Sequence, residues 1–260
     1  MTALGEVIRA ALLTGEARAK VKAARALVRA WRRGTLGWDF NAAMPDRPAW
    51  PAALELLAAN RMPKRGGSGA KAIALWHSLA HIEFVAIDLA LDMAGRFGAQ
   101  MGREFVDDFL AVAADEAMHF ALIDRKLRTL GSRYGALPAH DGLWEAAFET
   151  RRDVAARLAV VPMVLEARGL DVTPAMRDRA LAQGDSRGAR LLQRILDDEI
   201  RHVAAGTKHF NEVCEKAGFR PQNHWKTLVA RHFRGQLKPP FNDSARLAAG
   251  LSREWYGAVA

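Results

Sequence analysis

Two runs of the chain carry residues that could hold a metal: Asp115-Glu116-Ala117-Met118-His119 and Asp198-Glu199-Ile200-Arg201-His202. Both lie in stretches that read as helix. Positions three apart on a helix share a face, so Glu116 and His119 converge, and so do Glu199 and His202. Each of these glutamates is preceded, at the same distance of 33 residues, by another, Glu83 and Glu166. A single Glu-x-x-His run is a weak signal, and solvated acids on exposed helix faces would explain it. Two runs, each opened by Asp and each with a Glu at the same upstream distance, form an internal repeat that such acids do not predict. Four carboxylates and two imidazoles on four helices are the ligand set of a two-metal site in a helix-bundle core.

Hard carboxylate oxygens with one imidazole per ion suit iron or manganese. The expected cofactor is therefore two iron ions, with manganese as the alternative. Glu116 and Glu199, each tied to its own His, are expected to bridge the ions, with Glu83 and Glu166 terminal. A metal-bound imidazole needs an acceptor for its second nitrogen. Asp115 and Asp198 are the candidates, crossed so that Asp198 serves His119 and Asp115 serves His202; surface acids are the bland alternative.

The elements that must position these residues are helical. Half the chain is apolar, Tyr occurs only twice, and Ala and Leu dominate without period-two Val/Ile/Thr runs; this reads as an all-α chain. Residues 70–217 are expected to form a four-helix bundle, preceded by an N-terminal helical extension with an aromatic arm over 1–69 and followed by a C-terminal helical tail over 218–260. Short helices are expected over 3–13, 16–32 and 52–60. Bundle helices are expected over 70–96, closed by Gly98, then 101–130, 142–168 and 186–216. Pro162 should kink the third of these. Gly169 to Pro174 reads as a turn, with Thr173 capping a short helix. The stretch 132–141 is long enough, when extended, for a crossover. His77 and His81 are expected in the core or behind the ligands. Helix 16–32 shows a basic face of Arg18, Lys20, Lys22, Arg25, Arg29 and Arg32, read as solvated or as a nucleic-acid contact.

The formal net charge is +9, which suits either an Arg-rich surface or a polyanionic partner such as RNA. The single Cys214 cannot form an intramolecular disulfide and fits a reducing cytoplasm. No apolar run approaches the roughly 18 residues of a membrane span, and the N-terminus lacks the basic-then-apolar plan of a signal peptide. The expected location is cytoplasmic, with no membrane.

The run Asp198-Glu199-Ile200-Arg201-His202 resembles the Asp-Glu-x-Arg-His ligand run of di-iron monooxygenases, and the full set resembles the small subunit of class I ribonucleotide reductase. More closely, residues His81-Ile82-Glu83-Phe84-Val85-Ala86-Ile87-Asp88-Leu89-Ala90-Leu91-Asp92, the run Asp115-Glu116-Ala117-Met118-His119-Phe120 and the tail Lys238-Pro239-Pro240-Phe241-Asn242 resemble the ferritin-like "domain of unknown function 455" family. The resemblance covers most of the chain. It implies a ferritin-like bundle with a di-metal site on the six ligands. A more distant likeness is to the di-iron tRNA hydroxylase. The expected activity is an oxygen-activating oxidoreductase of hydroxylase or desaturase type. Dioxygen, a small-molecule substrate and an electron-donor protein are its expected partners. A tRNA-modifying hydroxylase and a non-enzymatic or ferroxidase iron-handling protein are the alternatives.

Overall fold

The computed structural model describes residues 1–257, and their regular secondary structure is almost wholly helical. The only strands among them are the two-residue pieces Thr2–Ala3 and Leu36–Gly37, which pair in parallel. The chain divides into two compact units, Met1–Trp144 and from Glu145 onward.

The first unit is built on two long helices, α3 (Gly69–Met101) and α4 (Arg103–Thr129), preceded by α1 (Leu4–Leu12) and α2 (Ala17–Arg32). Only Gly102 separates α3 from α4. Its φ of 94° lies where a side chain is strained and glycine is not, so the chain reverses in one residue and α4 packs back along α3. The sequence signal at Gly98 is a packing signal instead of a stop. A Cβ there would lie 2.7 Å from Val106 Cγ2 and 2.8 Å from the Phe40 ring, and the helix continues past it to Met101. By length and composition alone α3 would pass for a membrane-crossing helix. However, 72% of its most apolar window is buried inside the protein, and Glu83, Asp88 and Asp92 lie along it.

Helix α2 lays Val21, Ala24, Leu27, Val28 and Trp31 inward and packs on α4, as its helical period requires. Its basic face is not all solvated. Lys20 is fully buried. Its ammonium donates to Asp88, to Ala49 O at 2.9 Å and to Leu12 O at 3.3 Å. The other Asp88 oxygen accepts from Trp50 Nε1 at 2.9 Å. One ion pair thus ties α1, α2, α3 and the aromatic arm together. Residues 52–60 do not form the expected helix. Only a 3-10 turn, Ala59–Arg61, is present. The backbone pairs instead with the segment after α4: Ala139 N donates to Glu55 O, and Leu57 N donates to Ala139 O.

In the second unit the expected helix over 142–168 is broken. Helix α5 (Gly142–Glu149), in which the boundary between units falls, stops at Thr150, and α6 (Val154–Val160) starts afresh on an Asp153 cap. Buried Arg157 holds the break, donating to Thr150 Oγ1 at 3.0 Å and Ala147 O at 2.6 Å. Pro162 then does more than kink the helix. Residues Val161–Glu166 form a π turn with Pro162 at its start, the kind of bulge that accommodates an extra residue. The turn is pressed close to α8 (Ser186–Ala217), where Gly206 faces Pro162 and a Cβ would collide with its ring.

Helix α7 (Ala167–Ala182) runs straight through the expected turn at Gly169–Pro174. Proline can sit inside this helix because the carbonyl it leaves unbonded finds another donor. Leu170 O accepts from Asn242 Nδ2 at 3.1 Å. The tail carrying Asn242 is itself fastened to α7: Asn242 N donates to Asp171 Oδ1 at 3.0 Å, and Arg246 makes a bidentate pair with Asp171 at 2.8 and 2.7 Å. Helices α9 (Pro221–His232), α10 (Asp243–Ala248) and α11 (Arg253–Tyr256) complete this unit.

Candidate metal centre

The α3–α4 hairpin places Glu83 opposite His119, because both lie at similar distances from the Gly102 reversal. His119 Nδ1 is 3.1 Å from Glu83 Oε2 and 3.4 Å from Glu116 Oε2. The ligand atoms of Glu83, Glu116 and His119 all lie within 4.8 Å of one another. All three residues are buried, as are Phe84 and Phe120, which follow Glu83 and His119 in the chain. Charged groups are expensive in such surroundings unless they are compensated. Here the compensation falls on His119. Burial alone would lower its pKa, but the hydrogen bonds and charges of Glu116 and Glu83 outweigh burial and push it up to about 11. The two carboxylates thus draw positive charge to the imidazole. Two carboxylates and an imidazole turned on one point can equally hold a metal ion, and the oxygen-rich donor set fits a hard or borderline divalent cation.

In the second unit Glu199 and His202 occupy one face of α8, with His202 Nδ1 3.7 Å from Glu199 Oε2, and both are buried. Gly169 on α7 faces Glu199: a Cβ there would sit 3.9 Å from Glu199 Cγ. Glu166 ends the π turn and is half-buried. Among the described residues, Glu166, Glu199 and His202 do not by themselves form a trio as close as that of the first unit. Of the two aspartates, Asp115 is half-buried and Asp198 is buried. Asp198 accepts from Arg194 Nε and Arg201 Nη2, both at 2.6 Å. Those arginines lie one turn before and one turn after it, a spacing legible in the sequence.

His77 and His81 are core residues. His81 Nε2 donates to His140 O at 3.0 Å, which leaves Nδ1 to accept from Tyr134 Oη at 2.9 Å. His77 Nε2 accepts from Gly135 N at 2.9 Å and Leu137 N at 3.4 Å. Burial lowers both pKa values to about 4. The folded values lie below the unfolded value of 6.5, so both groups stabilise the fold above pH 6.5 and lose that contribution as pH falls toward 4. The free energy of unfolding, followed by urea titration, is expected to fall across this window. Replacing both histidines by Gln should flatten that part of the profile, and an unchanged slope would show that other groups cause it.

Comparison with known proteins agrees with the coverage of the sequence resemblance. Residues 13–257 match the model of the family described as "Protein of unknown function (DUF455)". A protein of Haemophilus influenzae (strain ATCC 51907 / DSM 11121 / KW20 / Rd), described as "Uncharacterized protein", is 38% identical over 222 residues, covering 83% of this chain and 75% of the relative. No solved structure matches.

Proposed function

The chain belongs to the protein family of unknown function DUF455, and we propose that it is a di-metal carboxylate protein, with iron as the metal and manganese as the alternative, that activates dioxygen to oxidise a small substrate. The observation that carries this reading is the buried trio of Glu83, Glu116 and His119. In the proposal Glu166, Glu199 and His202 supply the second half of the ligand set, as the sequence repeat implies. Asp198 and Asp115 accept from the imidazoles of His119 and His202 in the crossed arrangement.

Four glutamates would balance two divalent ions. Held by these residues, a pair of reduced irons would supply the electrons for reduction of dioxygen. The chain's own residues set the conditions for that chemistry. His119 releases its proton when a metal enters, since a ligating nitrogen cannot keep one. Burial of Glu83, Glu116 and His119 keeps bulk water from their side of the site. A ferritin-like bundle, a hydroxylase or desaturase reaction and an electron-donor protein all belong to this proposal.

A tRNA substrate is the second reading, favoured by the net charge of +9 and by exposed Arg29 and Arg32 on α2. Arg25 is partly spent on Ala117 O, at 3.4 Å. Changing Arg29 and Arg32 to Glu should weaken tRNA binding and flatten its salt dependence if tRNA is the substrate.

The test of the proposal is anaerobic loading of the full chain with ferrous iron, followed by exposure to oxygen with uptake recorded. Uptake in proportion to bound iron, and above that of iron in buffer, is the expected result. Uptake equal to buffer would overturn the oxidoreductase reading. Glu199→Ala and His202→Ala should each stay helical and lose one of two bound metals. Retention of both metals in these variants would remove the second unit from the ligand set.

A further inference from the structure

The first unit holds a cavity of about 110 Å³ against the N-terminal half of α3. That volume exceeds the space a single water needs several-fold. The polar side chains on its wall are Arg65, His77, Ser78, His81 and His140, and none of its lining residues is acidic. Hydrogen-bond accounting fixes what the wall presents. His77 Nε2 accepts two backbone N–H groups, so its proton is on Nδ1. His77 is 1% exposed, and no hydrogen bond to its Nδ1 is formed by the described residues. His140 Nδ1 accepts from Gly142 N at 3.3 Å, which puts its proton on Nε2. Arg65 Nη1 donates to Ser78 Oγ at 3.1 Å and keeps further N–H groups. His81 is already satisfied at both nitrogens.

The cavity is therefore rich in donors and poor in acceptors. Its remaining surface is apolar, with Met62 and Leu143 among the lining. We propose that it binds a small monocarboxylate with a short apolar tail. The carboxylate takes the His77 Nδ1–H and the Arg65 guanidinium, and the tail lies against Met62 and Leu143. The guanidinium fork can take a carboxylate through two parallel hydrogen bonds, and its single positive charge balances a monoanion but leaves a phosphate dianion half-compensated. His77, Ser78, His81 and Ile82 share a face of α3, whereas Glu83 turns to His119 on α4. The site thus stands apart from the metal trio, and the proposal does not depend on it.

The test is calorimetric titration of the full chain with acetate, butyrate and hexanoate, beside butanol and inorganic phosphate. Arg65 is exposed, so Arg65→Met is not expected to disturb folding. Butyrate or hexanoate should bind saturably and shift the His77 imidazole resonances. Butanol and phosphate should bind more weakly. Arg65→Met should weaken the carboxylate at least about tenfold, the scale of a hydrogen bond to a charged group. Absence of saturable carboxylate binding would overturn the proposal, as would equal binding of butanol or phosphate. Carboxylate binding untouched by Arg65→Met, as a carboxylate seated on a metal would give, would overturn it too.

Discussion

Lys20→Met lowers the free energy of unfolding by about 3–5 kcal/mol, the scale for breaking one side of a buried ion pair. Both side chains of the Lys20–Asp88 pair are fully buried. Burial pushes the Asp88 carboxyl up to about 6, with the charge of Lys20 and its hydrogen bond opposing the rise. Burial likewise lowers the Lys20 pKa, against the pull of Asp88. Removing the ammonium leaves Asp88 with the Trp50 N–H alone. It also strips Leu12 O and Ala49 O of a donor. The Lys20 ammonium further sits 5.0 Å from the Phe84 ring centre, and Phe84 adjoins Glu83, so the loss should loosen α3 where it carries the trio. The double variant Lys20→Met, Asp88→Leu should recover most of the loss, because an apolar pair of similar volume avoids the desolvation cost. Urea unfolding of the three proteins decides the matter. A Lys20→Met protein within about 1 kcal/mol of the parent, the range of an exposed pair, would show that no charge is held there.

Glu116→Gln lowers the affinity for ferrous or manganous ion by at least about 100-fold. Loss of a residue that merely supports a ligand costs about 10–100-fold, and Glu116 is proposed as a ligand itself. The substitution keeps the side chain's shape and removes its charge, so helicity should be retained. His119→Ala should weaken binding to a similar degree. Competition with a coloured chelator measures both. Added metal should also raise the unfolding midpoint of the parent and leave that of the variants in place, since only a ligand bound to the folded state stabilises it. Equal affinities in parent and variants would place the metal elsewhere.

The residues legible in the sequence are those whose partners are close along the chain or repeat with a period. Helices α3, α4 and α8 follow from apolar residues at helical spacing. Glu116 with His119, and Glu199 with His202, follow from a separation of three. The Lys20–Asp88 pair was not legible. Its members are 68 positions apart, and Lys20 stands among basic residues that do face solvent. The passage of α7 through Pro174 depends on Asn242, a donor from the tail. Read locally, Gly169 to Pro174 could only look like a turn. The break before α6 is held by Arg157, a residue whose type argues for the surface. The cavity is assembled from three stretches, residues 59–65, 74–82 and 137–143, and no local pattern marks it.

We propose that this chain holds two metal ions, and its metal content is the first quantity to measure. Elemental analysis after purification, repeated after anaerobic iron loading and desalting, should give two iron or manganese ions per chain in the parent and a lower content in Glu116→Gln. A parent protein that shows its full helical content by circular dichroism, yet retains no metal under either condition, would rule out a two-metal centre in this chain.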